Sequence, residues 1–220
     1  MQHNSFISFK GLNYSPKQVL KKSGDYYNFM DKRRSLRMFS DKQVDRKVIE
    51  NIILTASSAP SGAHKQPWFF SAIEKPELKK KIRIAAEKEE YENYTGRMSD
   101  TWLKDLEKFD TDFKKPFLEI APWLIVVFRK SYDIIDGEKK QNYYVNESVG
   151  IAVGFLLTAI HQAGLVALTH TPSPMNFLEK LLNRPPNERA YLLIPVGYTS
   201  DDAVIPDIER KKLKDVANFY

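Results

Sequence analysis

The chain of 220 residues contains no cysteine, which excludes disulfides, thiolate nucleophiles, iron–sulfur clusters and every cysteine-based zinc site. Any redox chemistry must therefore come from a bound cofactor. Long apolar runs are missing too: the longest, residues 149–160, falls well short of the ~20 residues that span a bilayer. Residues 1–24 lack the apolar stretch of a signal peptide, and the expectation is a cytoplasmic protein with no membrane attachment. Neither G-x-G-x-x-G nor G-x-x-x-x-G-K-[ST] occurs, so no glycine loop for phosphate is indicated, and without G-x-S-x-G serine acyl transfer has no local signature. His3, His64, His161 and His170 form no H-x-x-x-H pair and have no carboxylate at ligand spacing, so no metal site is expected.

Charge of one sign is present only in slight excess, 34 Lys and Arg against 28 Asp and Glu for a net of +6. A nucleic-acid surface needs clustered cations free of acid. The most charged stretch, from Glu74 to Glu92, instead interleaves six Lys/Arg with six Glu, a solvated helix face of near-zero net charge. Only Lys32-Arg33-Arg34-Ser35-Leu36-Arg37 is densely cationic, and it is too short to track a duplex. No nucleic-acid partner is expected.

The length suits a single domain, and no repeat, low-complexity tract or linker divides it. Residues 1–26 are polar and weakly periodic, an arm or short helix. Val48, Ile49, Ile52, Ile53 and Ala56 follow helical spacing after Asp45, a plausible N-cap. Residues 68–73 read as a strand, Pro76 opens a charged helix to about residue 94, and Met98, Trp102, Leu106 and Phe109 suggest an amphipathic helix over 98–113. Residues 123–128 form a buried strand by composition. Residues 148–163 are apolar almost all round, with Gly150 and Gly154 four apart for close packing, and read as a core or interface helix ended by Gly164. Residues 165–169 and 191–196 complete the strands, so the class is α/β or α+β.

Two segments stand out. Arg33-Arg34-Ser35-x-Arg37 reads first as a solvated basic turn, but its forked guanidinium donors also match a phosphomonoester. In the segment from Ala59 to Trp68, the small residues Ser61, Gly62 and Ala63 either make a sharp connection or let backbone N–H groups face a ligand. Together they resemble the opening signature of the nitroreductase-like FMN flavoprotein superfamily, R-R-S-x-R followed by A-P-S-x-x-x-x-Q-P-W. Further along, Glu90-Tyr91-Glu92-Asn93-Tyr94, Arg97-Met98, Trp102, Lys115, Asn142-Tyr143-Tyr144, Thr169-His170-Thr171-Pro172, Pro195-Val196-Gly197-Tyr198 and Arg210-Lys211 resemble the iodotyrosine deiodinase branch. The resemblance runs from about residue 27 to the C-terminus, and the region from Glu90 to Lys115 separates this branch from ordinary nitroreductases.

The resemblance implies an α+β fold with a mixed central sheet flanked by helices: an N-terminal arm over 1–26, one FMN-binding domain over 27–220, and a lid at about 87–116. It implies an intertwined homodimer in which both subunits build each flavin site. Arg33, Arg34, Ser35, Arg37 and Arg210 match contacts to FMN, and Pro60, Ser61 and Gly62 match the loop against its ring system. The Ala63 amide matches the donor to the substrate phenolate. Glu90, Tyr94 and Lys115 match a lid trio that meets the ammonium and carboxylate of a free amino acid. Thr171 matches the hydroxyl facing flavin N5, and Thr169 a neighbouring flavin contact.

The implied activity is reductive dehalogenation of iodotyrosine or a related halotyrosine to tyrosine and halide through one-electron flavin steps, with electrons from a reductase or an NAD(P)H system. A nitroreductase or quinone reductase using NAD(P)H directly is the alternative; a flavin or amino-acid sensor and the flavin-cleaving branch that makes the cobalamin lower ligand are further ones. The lid trio weighs against the reductase and flavin-cleaving readings, and no DNA-binding segment or effector domain supports a sensor. The chain is expected to depart from the animal enzymes in lacking an N-terminal membrane anchor, and His170 stands where their motif has another threonine.

Overall fold

Residues 123–128 form a strand apolar on both faces, so cover is needed on both sides. In the computed structural model, which describes residues 6–220, this strand is β2 (Trp123–Lys130), and every residue from Trp123 to Phe128 is buried. Residues 1–5, with His3 and the start of the expected arm, lie outside the described residues. The chain divides into an N-terminal unit ending at Arg33 and a main unit from Arg34 to Tyr220.

The N-terminal unit is built on α1 (Pro16–Asp31), longer than the short helix expected. Ser15 and Gln18 form a capping box and Pro16 occupies the first position, two devices that satisfy or remove orphan amide donors. None of its residues is buried.

In the main unit β1 (Trp68–Ile73), β2, β6 (Glu188–Gly197) and β5 (Val166–Ala167) form one sheet in the order β1-β2-β6-β5, with every pair antiparallel. The expected mixed character is confined to one parallel bridge, Ser35 with Ala167. β1 pairs in register with β2, Phe69 opposite Phe128, and a bulge between Val127 and Phe128 shifts the β2–β6 register. Successive β2 side chains point to opposite faces. Trp123, Ile125 and Val127 pack with α2 (Arg46–Ser57) and α6 (Val145–Gln162), whereas Leu124, Val126 and Phe128 pack with α3 (Pro76–Glu92), α5 (Phe117–Ile120) and α7 (Asn176–Leu181). The result is a helix–sheet–helix sandwich.

The sequence expectations hold for α2, which Asp45 caps by accepting from Lys47 N at 2.6 Å, and for α3 with Pro76 in its first turn. α6 is buried on one side only: Val149, Ala152, Val153, Leu156 and Ile160 are covered, while Ile151 and Phe155 are exposed. The helix expected over 98–113 is reduced to α4 (Asp100–Glu107), and Asp110 takes a left-handed φ of 44° just beyond it. A hairpin of β3 (Tyr132–Ile135) and β4 (Glu138–Gln141) was not anticipated, although its Asp136-Gly137 turn, with φ 53° and 79°, carries the usual two-residue hairpin signature. Among the described residues no helix is long and apolar enough to cross a membrane.

α3 faces the sheet along the stripe Lys79, Ile82, Ala86 and Glu90, spaced by three or four residues. Its two middle members are apolar and its ends are charged. Lys79 is buried, and its Nζ donates to the carbonyls of Glu119 at 2.9 Å and Ala121 at 2.8 Å, so it anchors α3 to the end of α5. Lys79→Met keeps the stem and leaves those carbonyls without the ammonium. It should lower unfolding free energy by roughly 1.5–3 kcal/mol, the scale of a hydrogen bond to a charged group, as measured by urea denaturation.

Candidate active site

The last turn of α3 delivers Glu90 to the interior and then breaks pattern. Residues 93–97 form one π-helical turn closed by Met98 N donating to Asn93 O at 2.9 Å, a distortion common at functional sites. Asn93 is buried, and its Nδ2 donates to Ser173 O at 2.9 Å, tying the turn to the segment after Thr171. Tyr94 stands one helical step beyond Glu90, as their spacing requires, and its hydroxyl donates to Thr111 O at 3.2 Å.

Lys115 arrives from the loop between α4 and α5. Its backbone N–H donates to Glu87 Oε1 at 2.6 Å, and Arg83 Nε holds the same carboxylate oxygen at 2.7 Å. Its Nζ donates to Thr111 Oγ1 at 3.2 Å and to Asp112 O, lies over the Tyr94 ring 5.4 Å from the centroid, and faces Glu90 Oε2 at 3.9 Å. Thr111 therefore organises both Tyr94 and Lys115. It was missed in the sequence, because a single loop threonine carries no periodic or motif signal.

A third element comes from the sheet edge. Ser35 bridges Ala167 and Leu36 N donates to Ala167 O at 3.1 Å, which sets Arg37 beside Leu168 and Thr169. Past β5 the chain stays extended. His170 is buried between exposed Thr169 and Thr171, and pairs with Leu193 through backbone bonds of 2.9 and 3.0 Å.

These elements enclose a cavity of about 200 Å³. Arg37, Glu90, Tyr94, Lys115, Thr169 and Thr171 line it, all singled out in the sequence, together with His170. Met98, Trp102 and Leu106 line one side, so the apolar spacing that suggested a long helix marks the face that α4, with Met98 just before it, turns to the cavity. Phe117 adds an apolar wall that the sequence reading did not include.

Burial governs the titration of the polar groups. It pushes the Glu90 carboxyl up, against the opposing pull of Lys115. It pushes the Lys115 ammonium down, against Glu90 and Asp112. It raises the Tyr94 hydroxyl and lowers the Arg37 guanidinium. His170 is driven to about 3 by burial, with the Lys115 and Arg37 cations adding to the effect, so the ring is neutral at ordinary pH. An ion pair this deeply buried, with side chains 4% and 8% exposed, is weak as a stabiliser because desolvation offsets attraction. It is well suited to bind a zwitterion, since it presents one cation and one anion in a place of low dielectric.

The remaining sequence candidates do not line this cavity. Arg34 donates to Pro206 O at 2.5 Å, and Arg210 is exposed in the C-terminal tail. Arg33 closes the N-terminal unit, its N–H donating to Met30 O at 3.1 Å. Pro60, Ser61, Gly62 and Ala63 form a strained loop in which Ala63, His64 and Gln66 have φ of 49°, 53° and 48°. Left-handed backbone at non-glycine residues costs of order 1–3 kcal/mol each and clusters where function demands it. Ser61 Oγ holds the loop by accepting from Gln66 N at 2.9 Å. A Cβ at Gly62 would sit 3.0 Å from the Tyr144 ring and 3.3 Å from Tyr143 O, close enough that these neighbours would have to give by a few tenths of an ångström.

Comparison with known proteins bears on this geometry. Residues 30–198 match the Nitroreductase family. Over its whole length the chain is 63% identical to an iodotyrosine deiodinase of Haliscomenobacter hydrossis, covering 99% of that protein. It is 43% identical to iodotyrosine deiodinase 1 of Homo sapiens over 96% of this chain and 73% of that one. A crystal structure of oxidized iodotyrosine deiodinase bound to FMN and 3-iodo-L-tyrosine superposes with a TM-score of 0.75 at 31% identity, over 88% of this chain and 98% of that one. A BluB-like flavoprotein from Clostridium difficile shares the fold, with a TM-score of 0.67 at 22% identity over 89% of this chain and 98% of that one. With the family matched over most of its length and a full-length relative at such identity, the chain belongs to the Nitroreductase family, in its iodotyrosine deiodinase branch.

Proposed function

We propose that this protein is an FMN-dependent reductive dehalogenase of 3-iodotyrosine and related halotyrosines. The observation that carries the reading is the meeting of Glu90, Tyr94 and Lys115 with Thr169 and Thr171 in one cavity. Glu90 takes the ligand's ammonium, Lys115 its carboxylate, and Tyr94 adds a hydrogen bond. Met98, Trp102 and Leu106 exclude water, which strengthens each of these interactions. In the reaction the carbon–halogen bond breaks and a carbon–hydrogen bond replaces it, consuming two electrons and a proton and releasing halide.

The donor set fits FMN. Arg37 in the cavity wall and Arg34 offer forked donors suited to a phosphate dianion, and the family resemblance gives Arg210 a further contact. The Thr169 and Thr171 hydroxyls can either donate or accept, and so can serve a ring nitrogen whether or not it carries a proton. Bound FMN supplies the electrons, drawn from a reductase or an NAD(P)H system.

Ser35 and the Pro60–Ala63 loop lie off the cavity, and the reading gives them to a site completed by a second copy of the chain. The Ala63 amide then donates to the phenolate, and Pro60, Ser61 and Gly62 lie along the flavin. A homodimer is supported by apolar side chains left exposed in the main unit: Ile151 and Phe155 on α6, and Leu213, Val216 and Phe219 in the C-terminal tail.

The direct test is anaerobic, dithionite-driven turnover of 3-iodotyrosine by FMN-loaded protein. Tyrosine released in proportion to enzyme, above a protein-free control, is the expected result; none from fully flavinated protein would sink the reading. Glu90→Gln should weaken 3-iodotyrosine binding at least tenfold, the scale of a lost charged hydrogen bond, with FMN retained. The pH profile adds a sign. Glu90 must be ionised and its pKa is raised, so affinity falls on acidification at a pH above the ordinary carboxylate range. Lys115 must be protonated and its pKa is lowered, so affinity also falls on the alkaline side below the ordinary lysine value. Titration of flavin fluorescence across pH should show both limbs in the wild type; in Glu90→Gln the part of the acid limb set by Glu90 should be lost, leaving only the fall set by protonation of the ligand's phenol.

A further inference from the structure

His170 lines the same cavity without a part in the reading above, and it is buried to 8% exposure. Two backbone bonds to Leu193, of 2.9 and 3.0 Å, hold it against β6. Phe117 meets its ring edge-on with centroids 5.7 Å apart. The imidazole is thus fixed from behind, yet its Nε2 is buried with no hydrogen-bond partner. Such an atom is costly to leave unmatched and calls for a reason.

The group it faces is Glu90, whose Oε1 is 3.8 Å away, while Lys115 Nζ approaches the other oxygen, Oε2, at 3.9 Å. Glu90 therefore lies between a cation on one side and an imidazole on the other. Both separations exceed a hydrogen bond, and polar contacts of this length in enzyme sites tighten once a ligand is bound. A carboxylate that captures an ammonium group must be charged and correctly turned, and burial opposes the charge. Burial keeps the ring neutral, and the Lys115 and Arg37 cations, from the loop before α5 and from the sheet edge, add to the effect. A neutral N–H donor favours the carboxylate and brings no positive charge to repel an ammonium.

We propose that His170 is a positioning residue for Glu90: on binding of the amino acid its Nε2–H donates to Glu90 Oε1 and holds the carboxylate toward the ligand's ammonium. The inference rests on the halotyrosine reading. It assigns His170 to selection of the amino-acid end of the ligand and leaves the phenol end to other groups. A threonine here could not extend an N–H to the same place.

The test compares two ligands on FMN-loaded protein by flavin-fluorescence titration: 3-iodotyrosine and its des-amino analogue, which keeps the iodophenol and carboxylate. The wild type should prefer 3-iodotyrosine. His170→Phe should weaken 3-iodotyrosine about tenfold and leave the des-amino analogue unchanged, and His170→Gln, which restores a nitrogen donor, should recover most of the preference. If the Phe variant does not retain FMN, His170→Asn, one methylene too short to reach Glu90, must show the same selective loss. Equal weakening of both ligands, or of neither, would overturn the role of His170 while the halotyrosine reading stands. A wild type that binds both ligands equally would overturn the ammonium role of Glu90 itself, and the inference with it.

Discussion

A strand buried on both faces cannot stand without cover on both sides, and β2 imposes that constraint on this fold. From Trp123 to Phe128 it has no solvent-facing residue. Its odd-numbered side chains are closed by α2 and α6 and its even-numbered ones by α3, α5 and α7. The second layer matters for chemistry, because packing Ile82 and Ala86 against Leu124, Val126 and Phe128 turns the whole α3 stripe inward. Lys79 at one end of that stripe finds carbonyls, and Glu90 at the other end reaches the cavity. A helix so rich in charge is drawn inward by two apolar side chains and tolerated because its buried charges face polar partners.

The cavity works by a similar compromise. Glu90 and Lys115 are too deeply buried for their pairing to stabilise the fold appreciably. Their environment shifts the two groups toward neutrality in opposite directions. A ligand with complementary charges at two points relieves both, so the desolvation that weakens the pair strengthens the recognition. Thr111, Asp112 and Glu87 hold Lys115 in place meanwhile, and the π-helical turn after Glu90 lets Tyr94 and Met98 face the same space. The backbone around Ala63 is strained as well, with left-handed φ at Ala63, His64 and Gln66, and strain of this kind clusters at functional sites.

Much of this was legible beforehand, unevenly. The buried strand, the capped α2 and the Pro76 helix start follow from local composition and capping, and the motifs around Arg33, Pro60 and Glu90 were recognisable as a set. The i, i+4 relation of Glu90 and Tyr94 survives intact. The apolar spacing of Met98, Trp102 and Leu106 was read correctly as one face but wrongly as a longer helix, since periodicity cannot tell a core stripe from a lid that covers a cavity. The β3–β4 hairpin had its signal in Asp136-Gly137 and was passed over. Thr111 and Phe117 had none, because a loop hydroxyl and a single aromatic acquire meaning only from what they touch.

The sequence by itself determined which residues could form helices and strands, that no cysteine chemistry was available, and which family pattern the chain carries. Those properties depend on composition and on neighbours a few positions apart. The tertiary structure alone decided that Arg37 and Thr169, brought near by the Ser35–Ala167 bridge, line one cavity, and that Lys115 and His170 approach different oxygens of one carboxylate. It also decided that the ion pair is buried, and hence which way its members titrate. Contacts and dielectric are set by groups distant in the chain that packing brings together, and local sequence holds no measure of either.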